Sequence, residues 1–292
     1  MNCCLLIKGS MRKEYHCLVA GLPELLFDAS KLSFAVLEFK SYLKEELSKE
    51  DYQIIESHFW RYDNQNLLLL LQKKDDELNN AGNLVREDFE AIFSLIRDDA
   101  LSSFEKEIPA YIEKFIEAFR DESPFDSAKS WENQITGLYY DYVTGLENSF
   151  VKEWYTFEME LNNILTASHC KRFQFEIEPE LIGSNEINEK LIKSGARDFG
   201  IGNEFPKIEQ ILRAIDESEL LEKEKKIDLI KWEFLDERTF FYYFTVERIF
   251  SYLMKLEMVT RWIRLDKETG EELFERLLKD LESDHELPEE FS

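Results

Sequence analysis

Residues 61–71 read RYDNQNLLLLL, and the five consecutive leucines at 67–71 constrain the fold more than any other stretch. A surface helix turns only part of its circumference to a core, so it has no use for apolar residues at five successive positions. A membrane span would use them, but it needs about 20 apolar residues. Here Gln72, Lys73 and Lys74 follow directly. The run therefore predicts a helix packed between neighbours and buried on nearly every side. Breakers are scarce: ten glycines and six prolines, against 23 phenylalanines and 12 tyrosines. Such sparse punctuation predicts long helices joined by short turns, an all-α fold.

The formal net charge is −25. It disfavours nucleic acid, whose phosphates need a basic face, and an anionic membrane surface. Two readings of the charge stand: it steers a basic protein surface towards the chain, or it only keeps a helical protein soluble. Cys3, Cys4, Cys17 and Cys170 form no C-x-x-C pair and no Cys/His cluster, so no metal is expected and the chain reads as cytoplasmic with reduced thiols. The sequence carries no phosphate-cradling glycine loop, no G-x-S-x-G elbow and no H-E-x-x-H pair. No catalytic residues, cofactor or small-molecule substrate are expected. His58 stands among aromatic neighbours and reads as a core or edge histidine.

Along the chain, residues 1–10 read as an extension ahead of Met11. Ser30 is placed to cap a helix to about Leu47, with Leu32, Val36, Phe39 and Leu43 on one stripe. Ser48 to Asp51 resembles a capping box that opens the next helix. Residues 75–83 read as a loop. Phe173, Phe175 and Ile177 alternate with polar residues, which predicts a short extended segment or loop. Ser194 to Pro206 holds three glycines and a proline and reads as a hinge or a repeat boundary. Helices are expected at about 246–265 and 271–281, and 285–292 as an acidic tail. The helical part, 11–284, divides into approximate segments 11–124, 125–205 and 206–284.

One local pattern recurs. YDNQNLLLLLQ (62–72) overlays MELNNILTASH (159–169), matching Asp63 with Glu160 and Asn66 with Asn163. In each copy an acid and an asparagine lie three residues apart on one helix face. A third apolar segment, Val246 to Leu265, carries Glu257 four residues before Arg261 and seven before Arg264. Val246, Ile249, Phe250 and Leu253 stripe that helix, and Glu257 continues the stripe. An acid on an apolar face costs several kcal/mol unless it is paired, so the spacing predicts that Glu257 pairs with Arg261 or Arg264. Either these polar groups face solvent, or they bind one another or nearby backbone. Stacked helical repeats would explain the leucine run.

FTVERIFSYLMKLEMVTRWIRLDKETGEELFERLLKDL (244–281) resembles the C-terminal signature of the C/d family of V/A-type rotary ATPase subunits. Tyr252, Leu253, Glu257, Arg261, Arg264, Gly270, Glu271 and Glu272 match it. Tyr62, Asp63, Asn66 and Leu67 are similar to that family's first-repeat motif. Trp262 departs where the family commonly has asparagine, and Leu68 and Leu71 replace its basic residues. Tyr15 to Asp28 resembles an uncharacterised bacterial family often encoded beside V-type ATPase subunits. The resemblance implies a single elongated or funnel-like helical domain of three pseudo-repeated units. It implies a non-catalytic coupling subunit joining the rotor shaft to the membrane rotor ring, cytoplasmic and held at the membrane through those partners. A free-standing helical interaction scaffold or regulator with no motor role is the alternative.

Overall fold

The computed structural model describes residues 13–283, with side chains for residues 13–266. The expectations for residues 1–10, Cys3, Cys4, the 285–292 tail and the side chains of Glu271 and Glu272 lie outside the described residues. Every helix and turn described fits the all-α expectation, and no strand occurs among the described residues. The order is α1 (His16–Gly21), α2 (Val36–Glu46), α3 (Lys49–Leu71), α4 (Arg86–Arg97), α5 (Ala110–Arg120), α6 (Trp131–Thr144), α7 (Ser149–Phe173), α8 (Glu186–Lys193), α9 (Ile208–Ile215), α10 (Leu220–Thr239) and α11 (Val246–Ser283). None of them is long and apolar enough to cross a membrane.

The chain divides into two compact units, one of residues 1–46 with 242–292 and one of residues 47–241.

In the first unit α2 lies against α11. Phe39 and Leu43 are buried, Phe34 stacks on Phe39 at 5.0 Å, and Tyr252 meets Phe39 edge-on at 5.5 Å. The helix begins at Val36, later than a cap at Ser30 predicts, and Phe34 reaches the Phe39–Tyr252 cluster from outside it. The Tyr15 amide donates to the Phe244 carbonyl at 2.6 Å, which ties α1 to the segment ahead of α11. The stripe Val246, Ile249, Phe250 and Leu253 is buried as expected. α11 then runs unbroken through Gly270, where the sequence predicts a break between helices at about 246–265 and 271–281. A glycine inside a helix costs about 1 kcal/mol relative to alanine, and the run EELFERLLKDL that follows is composed mainly of strong helix formers.

In the second unit, side chains cap α3, α6 and α7. Ser48 Oγ accepts from the Asp51 amide at 3.2 Å and opens α3. Ser130 and Asn148 do the same for α6 and α7. α6 packs against α3, α5 and α7, and α7 also against α8, α9 and α10. Ile55, Phe59, Leu67, Phe89, Phe115, Val143, Tyr155 and Leu161 are fully buried in the core. The leucine run departs from expectation. Leu67 and Leu68 are buried, but Leu69, Leu70 and Leu71 are only half-buried. The polar head of the run is buried instead: Asp63 is 0% exposed, Asn66 1% and Asn64 6%. Gln174, at φ 60°, ends α7 in a left-handed cap, so Phe173 to Ile177 is a helix end and loop. The hinge read at 194–206 is packed: Phe199, Ile201 and Phe205 are buried.

Candidate functional site

The polar head of α3 holds the loop that follows it. Asn66 clamps one loop residue by both backbone groups: its Oδ1 accepts from the Asn79 amide at 2.7 Å, and its Nδ2 donates to the Asn79 carbonyl at 2.9 Å. Asp63 accepts from the amides of Asn83 (2.8 and 2.9 Å) and Leu84 (2.9 Å). A carboxylate so placed repays its own desolvation with charge-assisted bonds. A Cβ at Gly82 would come within 2.5 Å of Asp63 Oδ1, so only glycine lets the loop pass this close.

Asn163, on α7, repeats the clamp. Its Oδ1 accepts from the Ile182 amide at 2.9 Å and its Nδ2 donates to the Ile182 carbonyl at 2.8 Å. The same Nδ2 donates to Asn188 Oδ1 at 3.0 Å, and Asn188 Nδ2 donates to the carbonyls of Ile182 and Gly183. Asn66 and Asn163 therefore do one job in two places. Asp63 and Glu160 do not.

Two positions before each matched acid stands a residue that carries no local signal of its role. Arg61, on α3, forms a two-pronged ion pair with Glu158, on α7, at 3.0 and 3.3 Å. Tyr139 accepts from Arg61 at 3.5 Å, and Tyr140 donates to Glu158 at 3.2 Å. The guanidinium lies 5.7 and 5.8 Å from the ring centres of Tyr139 and Tyr155. One turn earlier, His58 Nδ1 and the Tyr155 hydroxyl are 3.3 Å apart. Burial alone would raise the Glu158 carboxyl, but Arg61 above all, with Lys231, brings it down to about 2. Burial pushes the Tyr155 phenol well above its ordinary range. The pairing is hidden in the sequence because its partners lie 97 residues apart with no local pattern between them. One signal exists: the overlay that matches Asp63 with Glu160 also matches Arg61 with Glu158 and His58 with Tyr155.

Glu160 faces the other way. It lines an open cleft of about 530 Å³ between α7, the turn before α9, and α10. Phe157, Phe205 and Phe234 form its aromatic wall, with Phe157 and Phe234 stacked at 4.0 Å and Phe157 and Phe205 at 5.6 Å. Among the described residues no hydrogen bond or ion pair reaches the Glu160 carboxylate, and burial alone lifts it to about 7.

Glu257, Arg261 and Arg264 lie on α11 in the first unit, so the seven residues singled out from sequence do not form one cluster within a unit. Glu257 and Arg261 are half-buried and Arg264 is exposed. The Arg261 guanidinium lies 5.1 Å from the Trp262 ring centre. Among the described residues no group of three or more His, Cys, Asp or Glu is placed to hold a metal ion.

A family model described as "Protein of unknown function (DUF2764)" matches residues 11–285. No curated protein and no solved structure matches the chain.

Proposed function

The chain belongs to the DUF2764 family, and from that premise we propose that it is a non-catalytic coupling subunit of a V-type rotary ATPase, seated between the central shaft and the membrane rotor ring. One observation carries the reading. Two polar contacts, His58 with Tyr155 and Arg61 with Glu158, each join residues 97 positions apart. The same spacing separates the two copies of the acid–asparagine motif and the two asparagine clamps. Residues that meet their own counterparts are what two copies of one helical unit produce when they pair about a local two-fold axis. This supports an internally repeated helical architecture, as in the C/d family of V/A-type ATPases, whose motif Tyr62, Asp63, Asn66 and Leu67 resemble. In this chain Asp63 and Asn66 are engaged with loop backbone, which fits a motif that builds a frame.

The excess of carboxylates supports a basic partner, and long-range attraction of this kind fades as salt screens it. Association kinetics with purified shaft subunits from the same organism, across a salt series, test the proposal. The on-rate is expected to fall as salt rises while dissociation changes less. No binding at low salt and micromolar protein would overturn it. That outcome would leave the alternative, a free-standing interaction scaffold or regulator with no motor role.

A further inference from the structure

The cleft beside Glu160 plays no part in rotary coupling as proposed. Its wall already holds one cation. The Arg238 guanidinium lies 5.4 Å from the Phe234 ring centre, and Arg238 Nε lies 3.6 Å from the Glu153 carboxylate. Glu153, Phe157 and Glu160 follow one another along one face of α7 at helical spacing, and the Phe157 ring continues the aromatic surface from Phe234. Glu160 thus repeats the carboxylate beside the aromatic wall, without the cation. We propose that this cleft receives an arginine side chain from a protein partner, with its guanidinium on the Phe157–Phe205–Phe234 wall and paired with Glu160.

Charge and shape both favour this occupant. The other charged groups of the cleft are Lys152 and Glu153 on α7, Glu204 and Lys207 ahead of α9, and Glu237 and Arg238 on α10. Glu204 pairs with Lys190, Lys207 with Glu237 and Glu233, and Arg238 with Glu153. Lys152 is exposed and stands about 12 Å of helix rise from Glu160. Glu160 is the acid of the cleft left to be answered. Lys152 on α7, Glu204 ahead of α9 and Glu237 on α10 stand exposed around the cleft, whereas sites for small molecules enclose most of their ligand; an open groove suits a side chain carried on a larger body. Arginine is favoured over lysine because its planar guanidinium can both stack on a ring and fork to a carboxylate; Arg238 in the same cleft lies over one ring and beside one carboxylate. The positive charge of an arriving guanidinium would also offset the desolvation that lifts the Glu160 carboxyl.

The test follows the Glu160 carboxyl carbon by NMR in the full chain labelled at glutamate, with the resonance identified by its loss in Glu160→Gln. The probe is an acetylated, amidated Gly-Ser-Arg-Ser-Gly peptide, and the control carries citrulline in place of arginine. With saturating arginine peptide the Glu160 midpoint is expected to fall by at least about one pH unit, a tenfold change in proton affinity. The citrulline peptide is expected to leave it in place. An unmoved midpoint with the arginine peptide would overturn the proposal. So would an equal fall with citrulline, or an equal fall at the exposed Glu209 of α9, which would show only a diffuse field. The rotary proposal rests on shaft binding and is decided separately.

Discussion

The two motif copies, on α3 and α7, share a sequence pattern and part company at one residue. Asn66 and Asn163 each grip a single loop residue by its amide and carbonyl. Asp63 holds three short bonds from loop amides, whereas Glu160 opens onto a cleft with a carboxyl lifted to about 7. On α7 itself Glu158, two residues earlier, is brought down to about 2. Neighbouring acids on one helix thus shift in opposite directions. Burial acts on both; only Glu158 has a guanidinium to answer it. What a buried acid does is decided by the partner the fold delivers, and the motif that carries it does not settle the matter.

The largest effect expected in this comparison comes from removing the answered acid. Glu158→Ala leaves Arg61 with only 27% of its side chain exposed and no carboxylate, and should cost about 3–5 kcal/mol. Chemical unfolding measures it, and a cost below about 1 kcal/mol would show that the pair is solvated and interchangeable with water. The pH dependence has a definite sign. The folded Glu158 carboxyl sits near 2 against an ordinary 4.5, so its stabilisation is complete above 4.5 and drains away as pH falls towards 2.

The clamps come next. Asn66→Ala strands the Asn79 amide and carbonyl, and Asn163→Ala strands the Ile182 amide while Asn188 still reaches the Ile182 carbonyl; each should cost about 1–3 kcal/mol. Similar losses in the two variants sharpen the equivalence of the copies; a loss at one and none at the other breaks it. Gly82→Ala should cost a comparable amount, about 1–3 kcal/mol, because the added methyl meets an Asp63 carboxylate that its amide donors hold in place. Gly137, in α6 with open space around it, should tolerate alanine with a gain of roughly 0.5–1 kcal/mol. Matching unfolding midpoints for the two glycine variants would contradict the close approach at Asp63.

Removing the unanswered acid has a small effect, opposite in sign to that of removing the answered one. The folded Glu160 carboxyl holds its proton up to about 7 while an ordinary one loses it near 4.5. Between those values the folded state binds the proton more tightly, so stability falls as pH rises and the full penalty stands above 7. Glu160→Gln should therefore stabilise the protein by about 1 kcal/mol at pH 8, a figure reduced for the open side of the cleft, and by nothing at pH 4. Unfolding midpoints of this variant and the parent at the two pH values check it; a variant less stable at pH 8 would mean that the Glu160 charge is already paired.

The local features of the fold were legible because local chemistry writes them. The cap at Ser48, the acid and asparagine on one face of α3, and the buried stripe of α11 all follow from spacing within a turn or two. The leucine run misled in part, because hydrophobicity reports what a residue tolerates and not how many neighbours arrive: Leu69 to Leu71 are half-buried while Asp63 is enclosed. The union of α2 with α11 in one unit and the Arg61–Glu158 pair depend on residues far apart in sequence. No periodicity within a helix encodes such meetings.

That pair is also where the central claim is most open to attack. If Arg61 and Glu158 occupy equivalent places in two copies of one helical unit, the charges should be exchangeable. Arg61→Glu and Glu158→Arg should each destabilise strongly, because each sets like charges together inside the protein. The double variant, with both exchanged, should recover most of that loss, and the coupling measured by chemical unfolding should exceed about 2 kcal/mol. A double variant whose loss equals the sum of the two single losses would contradict the account, because the two positions would then be neither partners nor counterparts.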